Sequence, residues 1–168
     1  MTPLRTRLFE RHLRETFVET GTNKGYGIAL ALACGYKNVI SVECDPEPFD
    51  FACRLYHGKE QVKIWFGDSV SILPFMLMKL NYPATFWIDA HDPAKGKCSA
   101  LEELQIINRF EIKNHTIMID DWEDFGTLKH GNITKESIIE ALRRINPNYF
   151  ISCHYAEVGA PNILVAEI

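Results

Sequence analysis

Three glycines, an acid ahead of them and several carboxylates further along are the residues whose types and spacing could do chemistry. Glu19 precedes Gly21, Gly25 and Gly27 in TFVETGTNKGYGIALALACG, Thr16 to Gly35. Thr16 to Thr20 is β-branched and aromatic, as a strand would be, and Ile28 to Cys34 is an unbroken apolar run suited to a buried helix. Glycines at such a corner allow positive φ and let a ligand approach without meeting a Cβ. The N–H groups opening the helix would face that ligand, with the positive end of the helix dipole behind them. These are the mechanics of a nucleotide-type site. The spacing is not that of a dinucleotide fingerprint, nor that of a P-loop, since Lys24 precedes Gly25 and neither Ser nor Thr follows it.

Further acids fall where strands would end. Glu43 lies in NVISVEC (Asn38–Cys44), 22 positions beyond Gly21. That is near the distance at which a carboxylate meets a ribose diol in this kind of unit. Asp68 and Ser69 come just after Val62 to Phe66, where they either open the next helix or meet a ligand. Asp89 closes the strand ATFWIDA (Ala84–Ala90), with His91 and Asp92 directly after it, and Asp120 and Asp121 end HTIMIDD (His115–Asp121). Ligands of open α/β sheets bind at the carboxyl ends of strands, so these five residues would share one edge. Clustered carboxylates raise one another's pKa unless a cation relieves them. A divalent, oxygen-loving ion such as Mg2+ is the economical relief.

Helices and strands of ordinary length must position these groups. Leu4 to Glu15 is a packing helix with Leu4, Leu8, Phe9, His12 and Leu13 on one face; Arg5, Arg7, Arg11 and Arg14 lie mostly off it, and the helix is also placed to act as a partial lid. Pro46 to Tyr56 starts as a helix with proline in its first turn. Ser69 to Leu80 and Ser99 to Phe110 are further helices, with a loop from Pro93 to Lys97 before the second. Trp122 to Asn132 is a loop long enough to be a functional flap. Thr134 caps an amphipathic helix to Ile145, and Tyr149–Tyr155 and Asn162–Ile168 are strands joined by AEVGAP as a hairpin-like pair. Strands and helices alternate through His115–Asp121, which implies a mostly parallel sheet covered by helices.

Composition narrows the class. The 168 residues make one domain, 1–168, whose first 15 residues carry the N-terminal helix. With 46% hydrophobic and 24% charged residues the chain reads as ordinary globular protein, and its net charge of −4 argues against a generic nucleic-acid binder. No apolar run reaches membrane-spanning length, and MTPLRTRLFERHLRE lacks the apolar core of a signal peptide. Five scattered cysteines without Cys-x-x-Cys spacing read as reduced core thiols of a cytoplasmic protein.

The run Glu19-x-Gly21-x-x-x-Gly25-x-Gly27, with Glu43 at its spacing, resembles the first motif of the class I S-adenosylmethionine-dependent methyltransferases. The resemblance extends from about Phe17 to Ile168 and implies an α/β, Rossmann-like, seven-stranded, mostly parallel sheet with an antiparallel last strand and helices on both faces. It implies a cofactor, S-adenosyl-L-methionine, bound by Glu19, Gly21, Thr22, Gly25 and Gly27, with Glu43 on the ribose and Asp68 and Ser69 on the adenine side. WIDAHD…EEL…IMIDDW is similar to the metal-dependent O-methyltransferases of the catechol and caffeoyl-CoA type and of the macrolide and aminocoumarin sugar type. By position, Asp89, Asp120 and Asp121 match their metal ligands, with Mg2+ as the expected ion. His91 stands where the sugar enzymes carry a base, and Asp92 is the other candidate. Asp121 departs from the Asn of the catechol group, and the longer N-terminal extension of those enzymes is missing here. In the alternative to a metal site, Asp120-Asp121 is a turn and Asp89 meets the cofactor's amine. The expectation is O-methylation of a small hydroxyl-bearing acceptor, with a second copy of the chain as an optional partner and with neither membrane nor nucleic acid. A metal-independent methyltransferase and a non-catalytic cofactor binder are the other readings. No Asn/Asp-Pro-Pro-Tyr, Pro-Cys or Gly-x-Ser-x-Gly element points elsewhere.

Overall fold

Short apolar runs flanked by glycine, proline and acidic turns build the sheet, and each central run buries both of its faces. The computed structural model describes residues 3–92, 96–155 and 163–168. In chain order the elements are α1 (Leu4–Arg11), β1 (Thr16–Thr20), α2 (Tyr26–Cys34), β2 (Asn38–Glu43), α3 (Pro46–Leu55), β3 (Val62–Phe66), α4 (Ser69–Leu77), β4 (Thr85–Ile88), β5 (His91–Asp92) and β6 (Lys97–Cys98). They continue with α5 (Ala100–Ile107), β7 (Thr116–Ile119), two 3-10 turns (Trp122–Asp124 and Leu128–His130), α6 (Lys135–Ile145), β8 (Phe150–His154) and β9 (Ile163–Glu167).

Seven strands form one sheet in the order β3-β2-β1-β4-β7-β9-β8. The first five are parallel, and β9 runs antiparallel between β7 and β8. The Rossmann-like α/β sheet with its antiparallel end is therefore present. Alternate strand residues feed two cores, as the period of two requires. Val18, Phe86, Ile88, Ile117, Ile119 and Leu164 join the core that packs α4, α5 and α6. Phe17, Trp87, Met118 and Val165 face the other way, into a core with Phe9 of α1 and Ile28 of α2. Phe9 meets Phe17 at 4.7 Å and Trp87 at 5.2 Å between ring centroids, which clamps α1 to the sheet.

Several expectations change. Helix α1 ends at Arg11, four residues short of the expected Glu15. The expected loop after β4 instead begins and ends as a small antiparallel ribbon, β5 with β6, pairing His91 with Cys98 and Asp92 with Lys97. Residues 93–95 of that loop and the whole AEVGAP connection lie outside the described residues. The expected flap at Trp122–Asn132 is folded into the two 3-10 turns, with Trp122, Phe125 and His130 all buried. None of the five cysteines is paired; Cys34, Cys98 and Cys153 are half-buried and pack against the cores, Cys53 is half-buried, and Cys44 is exposed. No helix among the described residues is long and apolar enough to cross a membrane.

Candidate functional site

Sheet order reverses between β1 and β4, because β2 and β3 lie on one side of β1 while β4 and β7 lie on the other. At such a switch point the loops leaving adjacent strands diverge and open a crevice. A cleft of about 820 Å³ lies there, lined among others by Gly21, Glu43, Asp68, Ser69, Asp89 and His91. That volume is within the usual range for small-molecule sites.

Its nucleotide-like end is built by the glycine turn and Glu43. Gly21 has φ +86°, and a Cβ there would sit 2.7 Å from the carbonyl oxygen of Asp89, so only glycine lets β1 turn out beside the end of β4. Asn23, at φ 46°, points its N–H at Glu43 Oε2 over 2.7 Å. Glu43 Oε1 accepts from the N–H groups of Cys44 and Asp45 at 2.8 and 2.9 Å. Three backbone donors thus fix a carboxylate that still has lone-pair capacity to spare for a ligand.

Glu19 and Thr22 lie beneath the cleft rather than in its wall. Glu19 is 2% exposed, accepts from Ser41 Oγ at 2.7 Å, and burial pushes its carboxyl up to about 8. Thr22 and Ser41 share a hydrogen bond of 2.6 Å. Gly27 serves Glu19 rather than a ligand, since a Cβ there would fall 1.8 Å from Glu19 Oε1. Gly25, at φ +75°, leaves room for Tyr56, whose hydroxyl donates to the Gly25 carbonyl at 2.6 Å. The turn is legible in the sequence; that two of its glycines accommodate the protein's own side chains is not. Asp68 caps α4 through the Val70 N–H and holds Lys97 at 3.1 Å. Ser69 donates to Glu103, which also accepts from Thr20 Oγ1 at 2.9 Å and is pushed up to about 7 by complete burial. Asp68, not Ser69, supplies the helix cap; both line the cleft, and the Ser69 hydroxyl turns inward to Glu103. Glu103 was missed because a Glu in a helical EEL run carries no sequence signal for burial.

At the other end the chain brings together Asp89, His91 and Asp121. One ligand atom from each falls within 4.8 Å of the others. His91 Nε2 lies 3.1 Å from Asp121 Oδ2, and His91 Nδ1 lies 3.4 Å from Asp89 Oδ1. Asp121 has φ 51°, an uncommon backbone for a residue with a Cβ. The left-handed turn at the end of β7 separates Asp121 from its neighbour. Asp120, expected among the metal ligands, is instead paired with Arg5 of α1. Burial pushes the Asp120 carboxyl up to about 7, the negative charge of Asp89 adds to this, and its Oδ1 is buried without a hydrogen-bond partner.

Arg5 also stacks over Trp87, 5.0 Å from the ring centroid, and Trp87 Nε1 donates to Asp89 at 3.3 Å. The basic side of α1 was expected to be solvated; this arginine is part of the site. His91, expected as a base, has both ring nitrogens turned to carboxylates, Asp121 first and Asp89 second, and they raise it to about 10. Held so, it is a proton donor at neutral pH. His130, also unexpected, stacks on His91 at 5.0 Å; burial and then the charge of His91 lower its pKa. Asp92 lines the cleft beside His91.

No family model and no curated relative matches the chain. Solved structures do. A Staphylococcus aureus protein presented as a candidate caffeoyl-CoA O-methyltransferase superposes with a TM-score of 0.67 at 14% identity, covering 99% of this chain and 84% of its own. The O-methyltransferase TomG of Streptomyces achromogenes, involved in tomaymycin synthesis and solved with S-adenosylmethionine, gives 0.66 at 14% identity over 98% and 78%. An O-methyltransferase of Bacillus cereus in complex with S-adenosylhomocysteine gives 0.64 at 14% identity over 98% and 79%. The fold is theirs. At such identities the likeness speaks for architecture, and the chemistry must be argued from the cleft.

Proposed function

We propose that this chain is an S-adenosylmethionine-dependent methyltransferase that O-methylates a small hydroxyl-bearing acceptor with the help of a divalent ion. The observation carrying this reading is one cleft at the switch point lined by Glu43 and by Asp89 and His91, with Asp121 3.1 Å from the His91 ring. Glu43, already oriented by three N–H donors, accepts the ribose hydroxyls. Asp68 flanks the adenine side, and Gly21 keeps the floor low enough for the methionine portion to reach the end of β4. The cofactors bound in the TomG and Bacillus cereus structures support this reading by analogy of fold.

The residues fit a divalent ion: two carboxylates and an imidazole converge, and a buried carboxylate oxygen of Asp120 beside them lacks a partner. When bound, an ion held by Asp89 and Asp121 would lower the pKa of an acceptor hydroxyl and orient it. Asp92 then accepts the hydroxyl proton as the oxygen attacks the sulfonium methyl, and thioether and methyl ether are the products. The role of base passes from His91 to Asp92 because carboxylates occupy both imidazole nitrogens. A metal-independent enzyme is the second reading, and Arg5 and His91 favour it by setting two positive charges against the three carboxylates.

Calorimetry with S-adenosylhomocysteine tests the first half of the proposal; absence of binding ends it. Transfer of a labelled methyl group to phenol, sugar and peptide acceptors, with and without divalent ions, tests the second. Full turnover after exhaustive chelation would select the metal-independent reading.

A further inference from the structure

We infer that the ion site of this chain is formed by Asp89, His91 and Asp121, one imidazole nitrogen with two carboxylates, and that it selects Mn2+ or a neighbouring transition ion over Mg2+. This rests on the reading of the cleft as a methyl-transfer site that takes a divalent ion.

Geometry chooses the ligands. An ion about 2.1 Å from each donor needs donor atoms roughly 3 to 3.5 Å apart along the edges of its coordination polyhedron. His91 Nε2 and Asp121 Oδ2 are already 3.1 Å apart, and the Asp89 oxygen lies within 4.8 Å of both partners' ligand atoms; an ion there would displace the proton that His91 shares with Asp121 and leave Nε2 as a neutral donor. The backbone arranges this. β5 leaves the sheet two residues after Asp89 and sets His91 against the stacked ring of His130, while the left-handed turn at Asp121 swings that side chain toward the imidazole. Asp120 is already engaged through one oxygen. Its Oδ2 is engaged by Arg5, whose guanidinium is in turn held over Trp87, so recruiting that oxygen would mean breaking both contacts.

A second observation points to a bound ion. Asp120 Oδ1 and His130 Nδ1 are buried polar atoms without partners among the described residues, one on the residue preceding Asp121 and the other on the ring against His91. Buried polar atoms are rarely left unsatisfied, and outer partners of metal sites commonly bond to ligands or to metal-bound water. Water carried on the ion would give Asp120 Oδ1 the donor it lacks. The donor set then decides the metal. Mg2+ favours oxygen donors and dehydrates reluctantly, whereas imidazole suits Mn2+, Fe2+, Co2+ and Zn2+ progressively better.

The test uses metal-free full-length protein without acceptor. Mn2+ is titrated by electron paramagnetic resonance, Mg2+ by competition, and pulsed measurements on the Mn2+ complex report any directly bonded nitrogen. Mn2+ is expected to bind at least about tenfold more tightly than Mg2+ and to show 14N coupling. His91→Ala should abolish the coupling and weaken Mn2+ at least about tenfold, while Asp120→Asn keeps the nitrogen coupling. An ion without nitrogen coupling in the unaltered protein, equal affinity for Mg2+, or no ion at all would overturn the inference. The unaltered protein answers the nitrogen question even where a variant folds poorly. Calorimetry with S-adenosylhomocysteine on the same samples separates the two readings. Cofactor binding with an oxygen-only ion removes this inference alone; nitrogen-coupled Mn2+ without cofactor binding removes the methyl-transfer reading alone.

Discussion

Glu43 is an acceptor on both oxygens, and this makes its chemistry hard to imitate. A glutamine there must turn its NH2 toward Asn23 N–H or toward Cys44 and Asp45 N–H, setting donor against donor. Glu43→Gln is therefore expected to weaken S-adenosylhomocysteine by about tenfold or more, since a charge-assisted hydrogen bond contributes about 1.5–3 kcal/mol. Calorimetry checks this, and unchanged affinity would place the ribose elsewhere. Asp92 carries the second residue-scale expectation. Asp92→Asn should lower kcat by about 10²–10⁴ while leaving cofactor affinity in place. Turnover at the parental rate would return the role of base to His91. Neither assignment was fully visible in the sequence. The type and spacing of Glu43 announce a ribose acid, but the two carboxylates flanking His91 come from separate strand ends and meet it only in the folded sheet.

Among the elements, the turn between β1 and α2 joins glycine placement to a buried acid. In an ordinary helical position Gly→Ala favours the helix by up to about 1 kcal/mol. At Gly27 the added methyl meets Glu19 Oε1 at 1.8 Å, so overpacking, typically about 1–3 kcal/mol, decides the sign. Urea unfolding should find Gly27→Ala destabilised, and Glu19→Ala in the same chain should restore part of the loss. Strict additivity of the two changes would show that the clash does not exist. Elements on a strong period were legible from sequence: all seven sheet strands and the helices between them stand near where the apolar runs put them. The β5–β6 ribbon escaped because two-residue strands have no period to read. The loop after β7 escaped because its order comes from Trp122 and Phe125 packing on the core, and from His130 stacking on His91. Arg5 escaped because a helix with four arginines reads as solvated on that side, and nothing local marks the one that reaches Asp120, 115 positions away.

The whole molecule's stability should vary with pH through acids and a histidine buried in its interior. Glu19 and Glu103 are raised by burial from 4.5 to about 8 and about 7. Between pH 4.5 and 8 the folded state therefore holds protons that the unfolded chain has released, and stability falls as pH rises through that window. His115 is buried against Phe86, accepts from the Ala84 N–H, and is lowered from 6.5 to about 4. It works in the opposite sense, costing stability as pH falls from 6.5 toward 4. Thermal unfolding of the Glu19→Gln, Glu103→Gln double variant should show a shallower decline between pH 5 and 8, the remainder coming from Asp120 and His91, while keeping the acid-side loss. A decline as steep as the parent's would mean that both carboxyls are ionised in the folded protein. The order of the strands carries a different consequence, for synthesis. Among the described residues those lining the cleft fall between Gly21 and Ser99, whereas β8 has only β9 as a neighbour and β7 waits for the same strand. A chain growing from the ribosome thus completes these cleft walls while one flank of its sheet is still an open, apolar edge. During that interval the outer edge of β7 stays unpaired until β9 arrives.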